Sequence, residues 1–302
     1  MNQSSHPPSN IRELSVLLEK DLKFLDHLAR KAHLYYKRGE KIKPDGRIRE
    51  FFKPHGDLKK VQRTIHRKIL RKLPIHSSIH SYRKKKDQLS NAKPHVGNLY
   101  MINLDIKDFF PSVTPSKVYT ALLKLGFSEP VSQMLVSLTT YQNQLPQGPP
   151  TSPGIANLVL FPLARRFEVL CMKHGAILTI FGDDITVSGS ARILKIKNLF
   201  MRIITEEGYK IHPGKVKVSK RGDKKKVTGV VVNKKTNVDK AYFRNLKAQI
   251  HNCLVKSPAI QIEGDLQRAR NSLLGKISHV KRLNPTKGQN LMQEFNKINW
   301  SR

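Results

Sequence analysis

The chain has 302 residues, 56 Lys and Arg against 22 Asp and Glu, and a formal net charge of +34. With 38% hydrophobic residues it can bury a core in two or three units, which excludes a disordered polybasic tail. Two cysteines, Cys171 and Cys253, exclude a disulfide framework and a four-cysteine zinc site, and no apolar run approaches the roughly 20 residues of a membrane span.

The start, Met1 to Asn10, is polar and lacks a signal peptide's apolar region, so the expected setting is the cytoplasm, with no membrane partner. A charge this large repels itself unless a polyanion lies nearby, and nucleic acid is the expected one, because phosphate neutralisation releases counterions. Residues 11–35 carry Ile11, Leu14, Leu17, Leu18, Leu22, Leu25 and Leu28 at helical spacing, which predicts one or two helices. A basic hairpin follows over 36–57, turning at Pro44-Asp45-Gly46 and bearing Lys41, Lys43, Arg47 and Arg49. Residues 58–73 are again helical, with Leu58, Val61, Ile65, Leu70 and Leu73 on one side, and 76–95 are basic and weakly patterned.

From Asn98 to Phe110 an apolar strand is interrupted by Asp105 and Asp108. Residues 115–139 read as helix, and Leu145 to Pro153 as a Gly/Pro-rich loop entering an apolar helix that runs to about Leu170. Two short strands span Ile177 to Ser188 around Gly182-Asp183-Asp184, an amphipathic helix covers 192–207, and a strand covers Val227 to Asn233. The remainder, from about Lys240, is basic amphipathic helix. The order is α+β, without regular βαβ alternation.

Taken alone, Gly182-Asp183-Asp184 is an ordinary hairpin tip, and Asp105 an ordinary strand end. If the two strands are neighbours, Asp105, Asp183 and Asp184 converge. Clustered carboxylates raise one another's pKa, and Mg²⁺ removes that penalty. Two such ions about 4 Å apart suit in-line attack at phosphorus.

The order of these pieces resembles the polymerase palm of reverse transcriptases. Asp105 with Phe109-Phe110-Pro111-Ser112 resembles the first palm motif, and Gln147-Gly148-Pro149-Pro150-Thr151-Ser152-Pro153 the template and nucleotide loop. Phe181-Gly182-Asp183-Asp184 resembles the Tyr-x-Asp-Asp box, and Gly208 to Lys217 the lysine-bearing segment after it, with Lys215 at the matching place. Leu274 to Val280, through Asn284-Pro285, resembles the start of the thumb, and Arg49 to Pro54 with Leu58 to Gln62 the fingers. Two further motifs resemble bacterial retron enzymes: Asn91-Ala92-Lys93-Pro94-His95 and Val227-Thr228-Gly229.

This resemblance implies a right-hand polymerase with fingers and N-terminal helices at 1–97, a palm at 98–238 holding a fingers insertion around 114–150, and a helical, RNA-binding thumb at 239–302. It implies two Mg²⁺ ions held by Asp105, Asp183 and, secondarily, Asp184, with Lys215 as general acid toward pyrophosphate. Arg49, Phe110, Gln147 and Gly148 would bind the deoxynucleoside triphosphate, Phe110 by leaving no room for a 2′-hydroxyl. Asn91, His95, Val227, Thr228, Gly229, Lys276 and His279 would bind RNA. A retron enzyme copies a cognate structured non-coding RNA from an internal guanosine 2′-hydroxyl into branched multicopy single-stranded DNA, commonly beside an effector protein in defence against phage. The alternatives are another bacterial reverse transcriptase of intron or mutagenic-retrohoming type, an RNA polymerase with the same acidic tip, or a non-catalytic RNA scaffold on a decayed palm. Two departures stand out: Phe181-Gly182 replaces the common Tyr-Ala, and Pro149 stiffens a loop that commonly reads Gly-Ala-Pro.

Overall fold

A computed structural model describes residues 7–42, 46, 48–258 and 264–300. Lys43, Pro44, Asp45 and Arg47 of the predicted hairpin turn lie outside the described residues, as do Met1 to His6.

Local chemistry starts the N-terminal helices. Asn10 caps α1 (Ile11–Leu18) by accepting from the Glu13 amide at 2.9 Å, and Asp21 caps α2 (Leu22–Arg30) through the Lys23 amide at 2.8 Å. Leu14, Leu18, Leu25 and Leu28 face inward. An antiparallel hairpin follows, β1 (Tyr36–Ile42) with β2 (Ile48–Pro54), paired from Tyr36 opposite Pro54 to Ile42 opposite Ile48. Helix α3 (Gly56–Lys68) buries Leu58, Val61, Gln62 and Ile65. The buried Gln62 side-chain NH2 donates to the Tyr36 hydroxyl at 2.9 Å and the Leu138 carbonyl at 2.8 Å.

The central sheet is antiparallel, in the order β4 (Ile177–Phe181), β5 (Asp184–Gly189), β3 (Tyr100–Asp105), β6 (Lys217–Ser219). Helices α6 (Pro115–Lys124), α7 (Glu129–Thr139), α8 (Ser152–Val159) and α9 (Phe161–Lys173) pack with it into one apolar core. Short helices precede it at α4 (Gln88–Ala92) and follow β3 at α5 (Phe109–Ser112).

Several predicted elements are subdivided, among them the apolar helix expected to about Leu170, which is α8 and α9. The helix expected over 115–139 stops at Leu125 and restarts at Glu129, with Pro130 in the first turn, where its missing amide costs no hydrogen bond. The helix expected over 192–207 is α10 (Arg192–Lys195) and α11 (Lys197–Glu206), parted at Ile196, whose φ −102 and ψ 7 leave the helical range. The strand expected over Val227 to Asn233 is a hairpin, β7 (Lys226–Val227) with β8 (Val230–Val231). Its loop, Thr228-Gly229, has φ 45 and 86, the paired positive values of a two-residue hairpin turn.

A second apolar core joins Val227, Val230, Val232 and Val238 to three long helices, α12 (Lys240–Lys256), α13 (Leu266–Leu283) and α14 (Pro285–Asn296). Ala92 and Met101 belong to this cluster, so α4 and the start of β3 are where it meets the central sheet. No helix among the described residues is long and apolar enough to cross a membrane.

Candidate active site

The β3–β5 register sets Asp105 opposite Asp184, which puts both side chains on one face. Asp183 occupies the turn before β5, and its carbonyl accepts from the Ile106 amide at 3.0 Å. Asp105 and Asp183 line one cavity of about 350 Å³ together with Arg49, Tyr82, Asp108, Phe110, Gln147, His212 and Lys215. That size suits a small-molecule site.

The carboxylates are electrostatically crowded. Burial first, then the Asp105 charge, raises Asp183 above the ordinary aspartate value, against the opposing pull of Lys215 and Arg49. Asp184 is pushed up to about 6 by desolvation and then by Asp183 and Asp105. Asp184 nonetheless keeps an exposed surface at the tip. Asp105 is nearly buried, and one of its oxygens accepts from Lys215 Nζ at 2.7 Å. Lys215 is brought there by the backbone: the His212 amide donates to the Asp105 carbonyl at 2.9 Å.

Among the described residues no three acidic, histidine or cysteine side chains form a preformed metal cage. The donor set still fits Mg²⁺, which is commonly held by one or two carboxylates, with water and substrate phosphate completing its shell. Asp105 already bears a cationic partner in Lys215, so a divalent ion at this carboxylate must displace or share it.

Other predicted nucleotide residues frame the same cavity. Arg49, on β2, is exposed at its mouth. Phe110 is half-buried, its ring 5.5 Å from that of Phe109. Gln147 lines the wall, and its carbonyl accepts from the Phe52 amide at 2.7 Å. Gly148 is placed differently from expectation. It faces β2 rather than the cavity: a Cβ on it would stand 2.8 Å from the Phe52 carbonyl oxygen, and its φ is +122. Its lack of a side chain lets the loop approach the β1–β2 hairpin.

The residues expected to touch RNA divide into two sets. Asn91, His95 and Val227 are buried, which corrects the expectation of direct contact. His95 fills both ring nitrogens internally, with Ser188 Oγ at 2.6 Å and Thr179 Oγ1 at 2.8 Å. Asn91 Nδ2 lies 3.4 Å from Thr228 Oγ1, so the two motifs meet and tie α4 to the β7–β8 turn. Gly229 is exposed on that turn, as is His279 on α13, while Lys276 is half-buried and donates to Gln249 Oε1 at 3.1 Å.

Burial lowers the His95 imidazole to about 3 and His80 to about 4. A histidine held neutral in the fold but free to charge when unfolded stabilises above its unfolded value near 6.5, and that stability is lost as pH falls below it. We predict an unfolding free energy that drops from pH 6.5 toward pH 4, by up to about 1.4 kcal/mol per pH unit for His95. A His95→Gln variant should keep only the shallower slope that His80 contributes, and a slope equal to wild type would show that His95 adds nothing to it.

Cavity residues that escaped sequence reading include Tyr82, Asp108, Gln144 and His212. Asp108 and His212 sit inside segments already singled out, whereas Tyr82 comes from the weakly patterned 76–95 stretch.

Comparison with known proteins bears on the family and the fold. Residues 41–237 match the family model described as reverse transcriptase (RNA-dependent DNA polymerase). The chain is 34% identical over 215 residues to the Escherichia coli retron Ec86 reverse transcriptase, covering 70% of this chain and 67% of that protein. It is 32% identical over 269 residues to the Myxococcus xanthus retron Mx65 reverse transcriptase, covering 82% of this chain but only 61% of that one. In fold it is similar to a Candida albicans telomerase solved with a fragment of telomeric RNA, at 10% identity and a TM-score of 0.50, over 93% of this chain and 61% of that one. The carboxylates facing a common cavity, the ordered motifs and these matches lead to one conclusion: the chain belongs to the reverse transcriptase family, beside the retron enzymes.

Proposed function

We propose that this chain is the RNA-directed DNA polymerase of a retron, copying a structured cognate RNA into single-stranded DNA. The observation that carries the reading is the pairing of Asp105 and Asp183 in one cavity with Arg49 and Phe110. Asp105 and Asp183 would hold a pair of Mg²⁺ ions, with Asp184 in support. Bound there, the ions supply charge neutralisation at the triphosphate and acidify the attacking 3′-hydroxyl. Arg49 grips the triphosphate from the hairpin, each charge-assisted contact contributing about 1.5–3 kcal/mol. Lys215, which pairs with Asp105, would give a proton to departing pyrophosphate after leaving that carboxylate. Gln147 orients the nucleotide and, with Gly148, fixes the hairpin over it.

The fingers would span 1–97, the palm 98–238 and the thumb 239–302. Exposed Gly229 and His279, with Lys276, would face the RNA, while buried Asn91, His95 and Val227 shape the surface that does so. We extend the reading to priming from an internal guanosine 2′-hydroxyl, to a branched RNA–DNA product, and to cytoplasmic antiphage defence with an effector protein.

Phe110→Ala is expected to raise ribonucleotide incorporation by about tenfold or more, because the ring no longer fills the space of a 2′-hydroxyl. Unchanged sugar selectivity would remove Phe110 from that role. Sequencing the nucleic acid that copurifies with the protein tests the retron assignment. A branched RNA–DNA species is expected, and exclusively linear host transcripts would overturn it.

A further inference from the structure

We infer that Tyr82 is a sugar-specificity residue of this site, its ring bracing Phe110 and its hydroxyl closing the cavity at the Gly182-Asp183 tip. The inference rests on the polymerase reading above.

The backbone delivers Tyr82 to the tip. Residues 78–80 add to the edge of β4: the Ile180 amide donates to the Ser78 carbonyl at 2.8 Å, and the His80 amide to the Ile180 carbonyl at 2.8 Å. This pairing is parallel, Ile79 opposite Ile180, so the chain runs alongside β4 toward Gly182 and Asp183. Both flanks of Tyr82 are then pinned. Ser81 is fully buried and exchanges two hydrogen bonds with Asn157 of α8, at 3.0 and 2.9 Å. Arg83 donates to the carbonyls of His76 and Ile79, at 3.1 and 2.9 Å.

Between these anchors Tyr82 takes φ 55 and remains 50% exposed. An aromatic residue rarely adopts that backbone, and half of its ring surface gains nothing from burial. Strain of this kind, at the wall of a cavity, points to a role in the site.

Its contacts define the role. The Tyr82 ring meets the Phe110 ring edge-on, centroids 6.4 Å apart at 69°. Phe109, the other aromatic neighbour of Phe110, is buried in the core. Phe110 is therefore held between a core ring and Tyr82, and removing Tyr82 frees it to turn aside. The Tyr82 hydroxyl lies 3.4 Å from where a Cβ on Gly182 would stand, so it fills the space beside the tip.

The test is incorporation of deoxynucleotide and ribonucleotide opposite one template base on a primed RNA, with wild type, Tyr82→Ala, Tyr82→Phe, Phe110→Ala and the Tyr82→Ala/Phe110→Ala double variant. Tyr82→Ala should lower sugar discrimination by about tenfold, the scale of one aromatic contact. Tyr82→Phe keeps the ring and should keep discrimination within about twofold while raising KM for the deoxynucleotide. The double variant should discriminate no worse than Phe110→Ala alone, since both changes act through one ring. Should Tyr82→Ala fail to fold, Tyr82→Leu is read in its place with the same expectation. Wild-type discrimination in a folded Tyr82→Ala (or Tyr82→Leu) enzyme, with Phe110→Ala relaxed, overturns the inference and leaves the polymerase reading intact. An additive double variant overturns the bracing as well. A wild-type protein that incorporates nothing removes both readings.

Discussion

Asp183→Asn should abolish deoxynucleotide incorporation on a primed RNA template, by roughly 10³-fold or more, the upper scale for deleting one preorganised electrostatic group. The same change should not weaken the fold. Asp183 is raised above its ordinary value by burial and by Asp105. A carboxyl raised in the fold binds its proton more tightly folded than unfolded, so stability falls as pH rises through that interval. Asparagine cannot ionise and removes the loss, so at neutral pH the variant should melt no lower than wild type. Thermal melting and single-nucleotide extension on one preparation check both halves. Retained incorporation in a folded variant would exclude Asp183 from the chemistry, and a collapsed Tm would make it structural.

Gly148→Val should cost about 1–3 kcal/mol of stability and 10- to 100-fold in kcat/KM, mostly through KM for the nucleotide. A side chain there meets the Phe52 carbonyl at 2.8 Å in a backbone conformation of φ +122. Neither the loop nor β2 can absorb that without parting the Phe52 amide from the Gln147 carbonyl. The hairpin then tilts and carries Arg49 away from Asp105 and Asp183. Urea titration and steady-state kinetics provide the check. A stable variant with wild-type KM would mean that this contact does not position the hairpin.

The acidic tip was legible because a hairpin is local: β-branched strands around Gly182-Asp183-Asp184 specify the turn without outside help. Its partnership with Asp105 followed from the ordered motifs, and the register opposite Asp184 is consistent with it. Tyr82 was not legible. Its position depends on a parallel pairing, Ile79 to Ile180, across some hundred residues, and nothing periodic around it announces a strand. His95 misled for a related reason. Its RNA contact was implied by the motif's resemblance alone, and only the distant Ser188 and Thr179, which satisfy its ring, make its burial tolerable. Gly148 was identified as a place of close approach, but the object approached is β2, which lies far away in sequence.

The central claim is that deoxynucleotides are joined in the cavity between Asp105 and Asp183. The most direct measurement is a structure of the protein with Mg²⁺, a primed RNA template and a non-hydrolysable deoxynucleoside triphosphate. The expected result is the triphosphate at these two carboxylates beneath Arg49, its sugar against Phe110, and Lys215 withdrawn from Asp105. A nucleotide bound elsewhere, with the Lys215–Asp105 ion pair intact, would contradict it.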